Sequence, residues 1–103
     1  MKPPWFSLLG LANRAGKIAS GEDTVLAAVR SQQAKLVLVA GDASERTREM
    51  WENKCRYYEI PLYAVADRFE LGRAIGKAHR VVVAVKDPGF SQKLAALLDQ
   101  KRG

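Results

Sequence analysis

Two short apolar runs, LVLVA at residues 36–40 and VVVAV at residues 81–85, constrain this chain more than any other feature. Neither alternates with polar residues, so as a strand each leaves no face for water and must be covered on both sides. The segments around them switch to helical spacing. Leu8, Leu9, Leu11 and Ala12 form a partial helical stripe over residues 5–15, and Gly16 suits the left-handed residue that closes such a helix. A short strand over residues 17–20 follows. From Gly21 onward Val25, Ala28 and Val29 recur at helical spacing, with Glu22 and Asp23 in the first turn, where the positive end of the helix dipole favours acids.

After LVLVA, Gly41 and Asp42 break the run, and either Asp42 or Ser44 can cap a long helix reaching about residue 58. Thr47, Met50, Trp51, Cys55 and Tyr58 lie along one side of it. Pro61 separates that helix from a strand over residues 62–65, and a short helix follows over 69–75. The last helix, over 88–98, has Pro88 in its first turn, and a frayed QKRG end completes the chain. The order α β α β α β α β α predicts an α/β layered sandwich, with helices on both faces of a mixed or parallel sheet.

At 103 residues and 11.4 kDa the chain is expected to be a single domain spanning 1–103, with no room for a second fold carrying its own cleft. Seventeen basic against eleven acidic residues give a net charge of +6, which favours a polyanionic partner. Charge alone does not separate RNA from DNA or from an anionic surface. The lone Cys55 excludes a disulfide framework and a CxxC-type metal cluster, and suits a reducing cytoplasm. No run approaches the ~20 apolar residues of a membrane span, and Asn13 and Arg14 soon end the apolar stretch near the amino terminus.

Signals for catalysis are few. The segment GRAIGKAH, residues 72–79, suggests a phosphate loop, but it is one residue short and lacks the Ser or Thr that would hold magnesium. His79 has no second ligand type at metal spacing and no neighbouring nucleophile, so it reads as a solvated loop residue able to contact phosphate. Cys55 falls between apolar positions of the long helix, where a free cysteine behaves as a small hydrophobe. Trp51, Tyr57 and Tyr58 are at helix spacing rather than on an open sheet, which makes Trp51 and Tyr58 packing residues before stacking platforms. ERTRE, residues 45–49, mixes signs and reads as a solvated face.

Two basic clusters remain: Arg14 with Lys17, and Arg73, Lys77, His79 and Arg80. The start of the Gly21 helix, the loop after LVLVA and the loop before VVVAV are expected to meet and form a basic rim around an amide-rich helix terminus. Charge and periodicity leave two readings of Glu22 and Asp23. As first-turn acids they stabilise the helix by roughly 0.3 to 1 kcal/mol and need no ligand; as acceptors they can take hydrogen bonds from base amino groups.

The stretches LLGLANRAGKIASGED, AKLVLVAGDAS, KCRYYEIPLY and LGRAIGK, in this order, resemble the YlxQ-like proteins of bacteria, members of the kink-turn RNA-binding superfamily of ribosomal proteins L-seven-Ae and L-thirty-e. The resemblance covers residues 5–98. It implies a three-layer α/β/α sandwich with a small mixed sheet, no catalysis, no cofactor or metal, and RNA binding through one end of the sandwich. In that superfamily a Gly-x-Asn-Glu-x-x-Lys motif at a strand-to-helix junction enters the widened groove of a kink-turn and reads its sheared G·A pairs. Its glycine falls on Gly21, its asparagine on Asp23, its glutamate on Thr24 and its lysine on Ala27. Asp23 keeps an acceptor but loses the amide donor, Thr24 is shorter, and Ala27 removes a phosphate partner; Glu22 lies one place early. The loop that packs against the kinked backbone in relatives is similar to GKAHR here, short and basic, which favours phosphate contacts from Lys77 and Arg80.

Residues and resemblance together predict an RNA-binding protein associated with ribosomal or ribosome-assembly RNA, cytoplasmic by its lone cysteine and monomeric by its small size and lack of a heptad or long exposed apolar stripe. Its contact residues would be Arg14, Lys17, Gly21, Glu22, Asp23, Thr24, Arg73, Lys77, His79 and Arg80. The alternative is a protein-interaction or ribosome-assembly adaptor that keeps the fold but has lost kink-turn reading with Thr24 and Ala27. A small-molecule enzyme comes last, lacking a nucleophile pair, a metal cluster or a complete phosphate loop.

Overall fold

The computed structural model describes residues 2–100. Of the QKRG end expected to fray, Gln100 closes the last helix and residues 101–103 lie outside the described residues. The described chain runs α1 (Pro4–Arg14), β1 (Ile18–Ser20), α2 (Glu22–Arg30), β2 (Leu36–Ala40), α3 (Glu45–Tyr57), β3 (Leu62–Val65), α4 (Arg68–Ala74), β4 (Val82–Val85) and α5 (Pro88–Gln100). The strands form one sheet in the order β1-β4-β2-β3. Pairing is antiparallel between β1 and β4 and between β4 and β2, and parallel between β2 and β3. The sheet is thus mixed, and the one parallel pair is joined by the helical crossover that such a pair requires.

The two apolar runs behave as their composition demands. Leu36, Leu38 and Ala40 of β2 join Val83 and Val85 of β4 under Trp5 and Leu9 of α1, Leu71 of α4, and Leu94 and Leu98 of α5. The alternate residues Val37, Val39, Val82 and Ala84 pack beneath Val25 and Val29 of α2 and Trp51 and Cys55 of α3. This is the α/β/α sandwich, with three helices on one face and two on the other. Each fully buried Leu or Val contributes about 1.5 to 3 kcal/mol, so covering both faces of β2 and β4 is a large share of what holds the layers together. Cys55 sits in this core, and burial raises its thiol pKa from 9.0 to about 11.

Local chemistry refines the helix ends. Ser44, not Asp42, caps α3, its hydroxyl accepting the N–H of Thr47 at 3.2 Å. Asp67 caps α4 by accepting from Phe69 and Glu70, so that helix starts at Arg68, one residue earlier than expected. Asp87 accepts the N–H of Phe90 at 2.9 Å ahead of α5, which runs two residues beyond Leu98.

One end of the sheet gathers four connections. The N–H of Ala40 donates to Val81 O at 2.8 Å, and that of Gly41 to Val65 O at 3.0 Å. The N–H of Gly21 donates to Val82 O at 3.2 Å, and that of Arg80 to Arg68 O at 2.9 Å. The start of α2, the β2–α3 loop, the β3–α4 turn and the α4–β4 loop therefore share this end.

Candidate functional site

The site is built around Gly21, whose backbone angles (φ 91, ψ 151) exclude any residue with a side chain at ordinary cost. That conformation lets the chain leave β1 and enter α2 within one residue. The carbonyl of Gly21 accepts the first helical bond, from Val25 N at 2.9 Å, and no side chain caps the helix. The N–H groups of Glu22, Asp23 and Thr24 precede that bond, so they have no intrahelical acceptor. All three side chains are exposed on this first turn.

Across from it lies the α4–β4 loop. Gly72 is buried on α4 because the backbone of His79 passes directly over it: a Cβ built there would lie 2.5 Å from His79 Cα. The glycine of GRAIGK thus serves close backbone packing, and Lys77 N–H, which donates to Gly72 O at 2.9 Å, folds the loop back along the helix. The exposed imidazole of His79 meets the ring of Phe69 edge-on, 6.5 Å between centroids. The guanidinium of Arg80 donates to His79 O at 2.7 Å and reaches Ser20 Oγ at 3.5 Å, the long limit of a hydrogen bond.

Between these two segments is a depression of about 260 Å³, lined by Ser20, Gly21, Glu22, Trp51, His79 and Arg80 with Val81 and Val82. Its rim carries both signs, Arg80 against Glu22, and its walls include helix-start amides. Trp51 is fully buried, as a packing residue should be, yet its indole N–H has no protein acceptor. Sequence reasoning did not single out Ser20 or Trp51 for this site. Ser20 is marked by nothing except its place before Gly21, and Trp51 enters from α3 only through tertiary packing.

The expected basic rim is divided. Gly21, Glu22, His79 and Arg80 line one depression, with Asp23, Thr24 and Lys77 exposed beside it. Arg14 and Arg73 meet elsewhere, in a groove of about 530 Å³ between α1 and α4 that is also lined by Phe6, Leu11, Asn13 and Ile75. Lys17 stands at the opposite end of β1, where its carbonyl accepts from Lys86 N at 2.8 Å. Four residues of extended chain, about 13 Å, separate it from Gly21. The correction has a simple cause: β1 carries the chain from one end of the sheet to the other between these two residues.

Among the described residues, no three His, Cys, Asp or Glu side chains gather as a metal site, and no helix is long and apolar enough to cross a membrane. A family model described as ribosomal protein L7Ae/L30e/S12e/Gadd45 matches residues 5–95. The chain belongs to this L7Ae/L30e family. It is 56% identical over 95 residues to the RNA-binding protein YlxQ of Bacillus subtilis, covering 92% of this chain and 95% of that protein. A more distant relative within the L7Ae/L30e family is the large ribosomal subunit protein eL30 of Methanothrix thermoacetophila, 37% identical, with 87% and 84% of the two chains covered. A solved structure of a protein of unknown function from Bacillus halodurans superposes with a TM-score of 0.92 at 50% identity, covering 95% of this chain and 99% of that one. The relatives are named as RNA-binding and ribosomal proteins, so membership of the L7Ae/L30e family places the chain among proteins that are not enzymes.

Proposed function

We propose that this protein binds structured RNA through the sheet end formed by the α2 start and the α4–β4 loop, and that its target is a kink-turn or a related bent internal loop. The observation that carries the reading is the hydrogen bond from Gly21 N–H to Val82 O, which sets the uncapped α2 start against the first residue of β4 and so beside the basic loop that precedes it. The names of the relatives agree with RNA as the ligand, and that of eL30 with a ribosomal setting. The protein acts as a monomer in the cytoplasm, on ribosomal or ribosome-assembly RNA, without a cofactor.

The chemistry follows from the groups present. The free amides of the α2 start donate to phosphate or base acceptors, as helix N-termini do for anions. Glu22 and Asp23 accept from base amino groups, and Thr24 offers both a donor and an acceptor. Lys77, His79 and Arg80 hold the backbone and set the register, whereas the acceptors on α2 confer selectivity. Arg14, Arg73 and Lys17, lying farther off, add to the positive field that steers RNA to this face. By binding the bent conformer better than the extended one, the protein shifts the RNA toward its kinked form.

The test is a titration at several salt concentrations of a kink-turn RNA against the same helix with Watson–Crick pairs replacing its G·A pairs. Tighter binding of the kink-turn supports the reading. Equal affinity for both sinks it and favours an adaptor that has kept the fold but lost the reader with Thr24 and Ala27.

A further inference from the structure

The far ends of α2 and α3 carry a second surface of similar chemistry. Both helices start at the Gly21 end of the sheet and finish at the other, so Arg30 lies about 14 Å from Gly21 along a nine-residue helix. There Arg30, Asn53, Lys54, Tyr57 and Tyr58 line an open depression of about 430 Å³. Tyr57 is 80% exposed, the most exposed large apolar side chain described. Its ring is nonetheless held: it meets Tyr58 edge-to-face, 4.9 Å between centroids and 81° between planes.

The charge around that ring is unspent. Among the described residues the one ion pair is Arg68 with Asp42, so neither Arg30 nor Lys54 has a carboxylate partner. Arg56 donates to Asn53 Oδ1 at 3.2 Å. Last-turn cations complement the negative end of a helix dipole, which accounts for the positions of Arg30 and Lys54. It does not account for an exposed tyrosine ring in the same depression. An exposed aromatic face in one depression with two cations that have no carboxylate partner is complementary to a nucleobase and its phosphates.

We infer that Tyr57, flanked by Arg30 and Lys54, is a stacking platform for an unpaired nucleotide of the bound RNA. Single-stranded RNA leaving the structured element at the α2 start runs along the α2–α3 face to reach it. The length of α2, about 14 Å, is within reach of a few nucleotides of single strand. This inference rests on the RNA-binding reading above, extends it to flanking single strands, and does not require that the structured part be a kink-turn.

The experiment compares a kink-turn RNA hairpin ending flush with the same hairpin carrying an adenosine tail long enough to span that distance, at either end. The unmodified protein binds one tailed RNA roughly tenfold more tightly than the flush one, the scale of one stacked base. Tyr57→Ala abolishes that gain without changing affinity for the flush RNA, Tyr57→Phe keeps it, and the double change Arg30→Ala with Lys54→Ala reduces it and its salt dependence. Since Tyr57 is exposed, thermal unfolding should be unchanged in Tyr57→Ala. No gain from either tail, or a gain that survives Tyr57→Ala, overturns the inference and leaves this surface to a protein partner. A Tyr57-dependent tail effect together with equal affinity for the flush kink-turn and flush Watson–Crick hairpins upholds the platform while the kink-turn reading fails.

Discussion

Asp42 clasps Arg68 three ways: its carboxylate accepts the backbone N–H at 3.0 Å and Nε at 3.1 Å, and its own carbonyl accepts from Nη2 at 3.1 Å. This joins the β2–α3 loop to the first residue of α4, and Arg68 O in turn holds Arg80 N–H of the loop beside the α2 start.

Replacing Asp42 with Ala should therefore cost more than a surface ion pair. The side chains are a little over a third exposed, so the charge pair itself contributes no more than about 1 kcal/mol. Loss of the acceptor for Arg68 N–H adds a similar amount. We expect urea unfolding to give a destabilisation of about 1 to 2 kcal/mol, with Asp42→Asn intermediate. No change in midpoint would mean that the clasp is idle in solution.

Gly72→Ala tests the close passage of the His79 backbone. The added Cβ would meet His79 Cα, N and C within 2.7 Å, so the loop must move rather than a side chain tip. Overpacking of this kind costs roughly 1 to 3 kcal/mol, and RNA affinity should fall along with stability because Arg80 moves too. Gly76, with φ 73 and open space around it, provides the contrast. Gly76→Ala meets only backbone strain, of order 1 kcal/mol, and should leave affinity nearly intact.

Asp23→Ala and Lys77→Ala separate selectivity from positioning. Removing the Asp23 acceptor should narrow the difference in Kd between a kink-turn and its Watson–Crick counterpart. Removing Lys77 should weaken both RNAs alike and reduce the salt slope by about one unit. If Asp23→Ala left the preference untouched, the reader would lie elsewhere, with Glu22 next in line.

Cys55 makes stability depend on alkaline pH. Its thiol holds its proton more tightly in the folded protein, pKa about 11, than at its ordinary value of 9.0. Below pH 9 both states keep the proton and the full stability is present. As pH rises above 9 the unfolded chain releases the proton first, so stability falls progressively up to about pH 11. Chemical denaturation across this window should show the decline, and Cys55→Ala, though less stable overall, should flatten it. Thiol labelling of the native protein at pH 8 should be slow and should accelerate on unfolding.

Periodicity alone identified the strands LVLVA and VVVAV, the helical segments between them and the layering on two faces, because those signals are carried by neighbours two to four residues apart. Cys55 and Trp51 were legible as core for the same reason. Gly21 and its first-turn acids were legible as a helix start from charge, and the ordered motifs pointed to the family. Tertiary structure decided the rest. Either Asp42 or Ser44 had the chemistry to cap α3; the helix starts at Glu45, which puts Ser44 at the cap, while Asp42 accepts from Arg68, 26 residues along the chain. Which cations surround Gly21 depended on strand order and direction: β4 pairing with β1 brings Arg80 to Ser20, while the run of β1 carries Lys17 to the other end. Likewise the sequence of GRAIGKAH argued against a phosphate loop, but only the tertiary structure gives Gly72 its role, the close passage of the His79 backbone. Local sequence sets what each segment becomes, because its interactions lie within a turn or a strand. Which loops become neighbours is set by pairing between segments distant in the chain, and the candidate site is made of such neighbours.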